Sequence, residues 1–119
     1  MRMWMVPPNL MCKQHLLGEH VELHMLIGWL NKKKPLGRFA SDHLIEPRKI
    51  RQRHAALVRE MRNRGMNHQS PIWSYSLKYL SRPEREAVVD PQDNIVELRR
   101  RCPECRRRIN RAIKEYMDV

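Results

Sequence analysis

The stretch NLMCKQHLLGEHVELHMLIGWLN, residues Asn9 to Asn31, keeps a helical period over its whole length and decides the fold class. It follows Pro7-Pro8, and Leu16, Leu17, Val21, Leu26, Ile27 and Leu30 are its candidate core residues. Lys32-Lys33-Lys34-Pro35 closes it, since cations suit a helix C-terminus and a proline disfavours helix in the residue before it. At about 100° per residue, His15, Glu19, Glu22 and Leu26 fall at about 0°, 40°, −20° and 20°, so an imidazole and two carboxylates share one narrow stripe. Such a stripe is either the solvated face of an amphipathic helix or a group with chemistry to perform.

Further along, the same period returns. A second helix is expected to start at Pro47 and to end at Gly65 as its C-terminal cap, with Ile50, Leu57, Val58 and Met61 on one face. Arg48, Lys49, Arg51, Arg53, Arg59 and Arg62 populate the rest of it. The loop from Pro35 to Ile45 has room for a helical turn around Ser41 to Leu44, and the aromatic-rich stretch from Ser70 to Pro83 reads as irregular. Asp90-Pro91-Gln92-Asp93 has the form of an N-cap with proline at the first helical position, so a third helix should begin near Pro91. Pro103 breaks or kinks it, leaving a last segment from about Glu104 to Tyr116. Four glycines and few β-branched alternations agree with an all-α fold. The expected architecture is one domain over residues 1–119, a bundle of three main helices with irregular loops and no internal repeat.

A net charge of +11 predicts attraction to a polyanion, for which nucleic acid is the natural partner. Lys and Arg are spread along the chain and do not line one helix opposite a bulky apolar face, which argues against a membrane surface. No apolar run approaches the roughly 20 residues of a spanning helix, and no signal-peptide pattern is present. A monomer in the cytoplasm is therefore expected, with its three cysteines as reduced thiols. The candidate phosphate contacts are Lys32, Lys33, Lys34, Arg48, Lys49, Arg51, Arg53, Arg99, Arg100 and Arg106, which would give affinity without sequence specificity.

Two blocks of sequence resemble a known family. Arg2, Gln14-His15-Leu16, Glu19 and Glu22 stand in gap-free register from Met1 with the endonuclease V-type pyrimidine-dimer DNA glycosylases, small phage and viral repair enzymes. Ile50-Arg51-Gln52-Arg53, Leu57-Val58, Glu60 and Arg64-Gly65-Met66-Asn67 resemble that family's long middle helix and its exit. The resemblance implies a base-excision glycosylase with abasic-site lyase activity. A terminal α-amine attacks the sugar C1′ of a damaged nucleotide, the base departs, and β-elimination cuts the strand beside the resulting imine. The implied catalytic set is Met1, Arg2, His15 and Glu22, acting on double-stranded DNA that carries a damaged or modified base, with no cofactor and no metal.

The chemistry is reasonable for these groups. An α-amine has a reference pKa near 7.7–8.0, so a useful fraction is neutral and nucleophilic at physiological pH. Glu22 is in register to stabilise the cationic sugar and to shuttle protons, with Glu19 one turn away as a possible sharer. Arg2 would tune the amine or hold a phosphate, and His15 would help shape the pocket. The family's usual nucleophile is a Thr exposed by removal of the initiator Met, whereas a second residue as large as Arg2 favours retention of Met1. Val21 and Met25 stand where the family carries phosphate-holding arginines, and the family's aromatic C-terminal tail is replaced by the run Arg99-Arg100-Arg101-Cys102-Pro103-Glu104-Cys105-Arg106-Arg107-Arg108. Trp73, Tyr75 and Tyr79 are either substitutes for that stacking or a small satellite core.

Competing readings attach to other residues. Cys102-Pro103-Glu104-Cys105 looks like half a zinc knuckle, which would need Cys12 or a middle-loop histidine to complete it. Its plainest reading is a helix-initiating turn with two reduced thiols. His20 and His24 have chelating i, i+4 spacing without the metalloprotease order, and read as packing or surface histidines. The alternative to an enzyme is a basic helical module that binds nucleic acid, with Glu19 and Glu22 merely solvated. A third class is an RNA- or protein-binding adaptor built on Cys102 and Cys105.

Overall fold

Pro7 and Pro8 delay the first helix. In the computed structural model, which describes residues 1–68 and 70–118, Pro8–Leu10 form a 3-10 turn, and Cys12 then caps helix α1 (Lys13–Asn31) by accepting from the His15 backbone N–H. The expected start at Asn9 is therefore four residues early, because the prolines close a separate turn first. Helix α1 buries Leu16, Leu23, Leu26, Ile27 and Leu30, but also Glu19 and His20, so it lies inside the fold with more than one face covered. Each fully buried leucine contributes about 1.5–3 kcal/mol by transfer from water.

The connection after α1 carries a one-turn helix, α2 (Arg38–Ser41), a few residues earlier than the turn expected from sequence. Pro47–Lys49 make a 3-10 turn that runs into α3 (Ile50–Asn63), which packs on α1 and buries Ile50, Leu57, Val58 and Met61. Gly65 ends it at φ +80°, donating to the Arg62 carbonyl while the Met66 N–H bonds to Met61, so the cap falls where the sequence puts it. A short α4 (Arg82–Arg85), capped by Ser81, interrupts the stretch expected to be irregular. Asp90 caps α5 (Pro91–Arg101), and Pro103 opens α6 (Pro103–Met117) after a break at Cys102. The structure is all-α, and four helices are long.

The N-terminal segment is part of the core. Met3, Trp4, Val6 and Met11 are buried in the same core cluster as Leu98 of α5 and Cys105 and Ile109 of α6. The Met3 N–H bonds to the Leu44 carbonyl at 2.7 Å, and the buried Asn94 amide donates to the Trp4 carbonyl at 2.8 Å. Two parts of the chain about ninety residues apart are thereby joined, and the chain terminus is held against α1.

Candidate active site

The cleft beside α1 encloses about 560 Å³ and is lined by Arg2, Trp4, Gln14, His15, Gly18, Glu22 and Arg101, among others. Its floor is α1, where the 3.6-residue period places Gly18 and Glu22 one turn apart. Its wall is the N-terminal segment, anchored by Asn94.

Glu22 sits at the centre of the charges. Burial pushes its carboxyl above the usual carboxylate range, and the neighbouring Glu19 adds to that shift. The chain-terminal ammonium, a hydrogen bond from the Arg2 backbone N–H and the Arg2 guanidinium oppose it without cancelling it. The Arg2 guanidinium lies 3.8 Å over the Trp4 ring and donates to Asn94 Oδ1 at 2.8 Å, while its Nε is buried without a partner among the described residues. Arg101 approaches the same ring at 5.3 Å. Two guanidiniums thus line the cleft with Glu22, whose carboxyl the chain-terminal ammonium acts on, an arrangement suited to phosphate groups.

The other members of the sequence stripe are occupied elsewhere. Glu19 is 1% exposed and forms a two-pronged ion pair with Arg53, whose Nη2 lies 2.9 Å from Glu19 Oε1. Arg53 also donates to the Val6 carbonyl at 2.7 Å and is buried. It is therefore withdrawn from the phosphate-facing set in which the sequence reading places it, and Glu19 from sharing the work of Glu22. His15 lines the cleft, but its Nδ1 points at Cys12 Sγ and Cys105 Sγ, at 3.3 and 3.6 Å. Burial and Arg101 lower its pKa.

The remaining cations are exposed at scattered positions. Lys32, Lys33 and Lys34 stand at the far end of α1, with the Lys34 ammonium 4.5 Å over Trp29. Arg48 pairs with Glu86, Lys49 is exposed, and Arg51 lies 5.1 Å over Tyr75. Arg99 bonds Asn110, Arg100 pairs with Glu97, and Arg106 donates to the Arg99 and Arg100 carbonyls at the end of α5. Tyr75 and Tyr79 pack against the main core, whereas Trp73 is exposed. Val21 and Met25 are exposed beside Glu22.

Three contributors escape a reading of the sequence. Trp4 and Arg101 meet only through the tertiary fold. Asn94 left a trace, since it shares the apolar stripe of α5 with Leu98, where a lone amide needs a buried partner.

Residues 1–74 match the family model described as pyrimidine dimer DNA glycosylase, and the chain belongs to that family. No curated protein and no solved structure matches it. The matched region contains α1, α3 and every cleft residue named above except Arg101. At the level of the family this is a DNA repair glycosylase whose substrate is damaged DNA. No helix among the described residues is long and apolar enough to cross a membrane.

Proposed function

We propose that the protein excises a damaged base from duplex DNA by way of a Schiff base on the Met1 α-amine and then cleaves the strand as an abasic-site lyase. In a chain that starts at this residue, the neutral amine attacks C1′ as the glycosidic bond breaks and the base leaves with its electron pair. Loss of the amine proton and ring opening give the imine. Abstraction of a C2′ proton then expels the 3′ phosphate, and water releases the amine. Glu22 is the group that stabilises the cationic sugar and moves these protons. Arg2 and Arg101 hold the flanking phosphates, and His15 shapes the cleft wall. Pyrimidine dimers are the substrate class that the family suggests.

The observation that carries this reading is that the chain-terminal ammonium and the Arg2 backbone N–H both act on the Glu22 carboxyl, which lines a cleft of about 560 Å³. Borohydride reduction in the presence of duplex DNA with an abasic site tests it. Peptide mapping should find the adduct on Met1, and it should vanish when the terminus is acetylated. A protein that binds this DNA but gives no adduct, or an adduct on a lysine, would instead be a basic helical binding module.

A further inference from the structure

Cys12-x-x-His15 opens α1 and Cys102-x-x-Cys105 opens α6, and the fold brings the two pairs together although about ninety residues separate them. The two thiols of Cys12 and Cys102 lie 3.8 Å apart, and His15 Nδ1 lies 3.3 and 3.6 Å from the thiols of Cys12 and Cys105. All four ligand atoms fall within 4.8 Å of one another. Metal–ligand lengths of about 2.3 Å to sulfur and about 2.0–2.1 Å to nitrogen give tetrahedral edges of about 3.8 Å between sulfurs and about 3.5 Å between sulfur and nitrogen. The observed spacings match those edges.

Backbone N–H groups are aimed at all three sulfurs. Each accepts one backbone N–H: Cys12 from His15 at 3.4 Å, Cys102 from Cys105 at 3.4 Å, and Cys105 from Cys12 at 3.2 Å. Such bonds hold the negative charge that a metal ligand needs and orient the sulfur lone pairs.

We propose that Cys12, His15, Cys102 and Cys105 form a tetrahedral structural zinc site that clamps the start of α6 onto the start of α1. Binding takes zinc in with release of the three thiol protons to solvent, and no oxidation state changes. Four protein ligands leave no open position, so the site has a structural task and not a hydrolytic one. It replaces the reading of Cys102 and Cys105 as a helix-initiating turn with idle thiols, and it is independent of the Schiff-base reading.

A second cluster carries its own argument. His20, His24, His54 and His68 also bring four ligand atoms within 4.8 Å. His20 Nε2 lies 2.9 Å from His68 Nε2 and 3.3 Å from His24 Nε2, while His54 Nε2 is buried without a hydrogen-bond partner among the described residues. One ring nitrogen supplies one donor or one acceptor, so hydrogen bonds alone leave this group unsatisfied. A second divalent zinc at its centre would use all four lone pairs, and tetrahedral nitrogen edges of about 3.4 Å suit the spacing.

The test is zinc content and cobalt spectroscopy on the untagged full chain after gel filtration in mild chelator. Two zinc equivalents per chain are expected. Cobalt-substituted protein should show thiolate-to-cobalt charge-transfer absorption, and the double variant Cys102→Ser with Cys105→Ser should lose that band and one equivalent. Should that variant fail to fold, alkylation of the wild-type chain decides: all three cysteines should be protected until a strong chelator removes the metal. Zinc-free protein without the cobalt band, with alkylation indifferent to chelator, overturns the cysteine site. His54→Ala should remove one equivalent and leave the band intact; a single equivalent in the wild-type chain together with the band overturns the histidine site alone.

Discussion

Arg53 on α3 and Glu19 on α1 form a buried ion pair that locks the two long helices together beneath the cleft. The guanidinium also reaches the Val6 carbonyl, so one side chain ties three parts of the fold. Removing either partner leaves the other charge buried and uncompensated. Arg53→Met or Glu19→Leu should each destabilise by about 3–5 kcal/mol, whereas the double change should recover most of that loss. Urea denaturation of the three variants measures it, and additive losses would show that the pair is not coupled.

Glu22→Gln should lower the rate of strand cleavage at a preformed abasic site by about 10²–10⁴-fold, the usual range for a positioned acid–base group. The variant should bind the same DNA with little change. Single-turnover cleavage alongside equilibrium binding separates the two, and an undiminished rate would assign the proton transfers elsewhere.

Gly18 sits one turn before Glu22, and a Cβ built on it meets no atom within 4 Å. In a helix interior, Gly18→Ala should therefore stabilise the fold by about 0.5–1 kcal/mol. Gly18→Phe should fill the cleft and suppress adduct formation while the circular dichroism spectrum stays unchanged. A Phe variant that still forms the adduct would mean that the sugar enters by another route.

Glu84 controls a pH dependence of stability. Although burial pushes its carboxyl up, hydrogen bonds from the Ser81 hydroxyl and from the backbone N–H groups of Leu36, Gly37 and Ser81 outweigh it and hold the pKa below the ordinary glutamate value of 4.5. Because the folded value lies below the unfolded one, the stabilisation is complete above about pH 4.5 and is lost as pH falls through the folded value. The melting temperature should therefore drop below that pH, and less steeply in Glu84→Gln. Parallel melting curves for the two proteins would remove Glu84 as the cause.

Binding to undamaged duplex should weaken linearly in log–log form with salt. If Lys32 and Lys33 each neutralise a phosphate, replacing both with alanine should reduce the slope by about 1.8, at about 0.9 per phosphate. An unchanged slope would place that end of α1 away from the duplex.

Much of this architecture is legible in the sequence because it depends on local chemistry. Gly65, Asp90, Pro91 and Pro103 set helix ends by backbone constraints that act within a few residues, and the structure follows them. The α1 stripe is also local, and it identifies the cleft-lining positions of His15 and Glu22. It cannot separate Glu19 from Glu22, because their different fates depend on Arg53, thirty-four residues away from Glu19. The same limit left Cys12 as one of two candidates to join the Cys102/Cys105 pair and hid His15 beside it, as it hid the seating of Arg2 against Asn94. Pairings of that kind arise only when distant segments pack.

The bond between Arg2 and Asn94 has a bearing on the order in which the protein is made. Arg2 is translated well before its partner, since the side chain that seats it follows some ninety residues later. A nascent chain therefore carries Arg2 long before that side chain has a place to go. The cleft wall takes its final form as a late event, when α5 emerges and Asn94 meets Arg2, Met3 and Trp4.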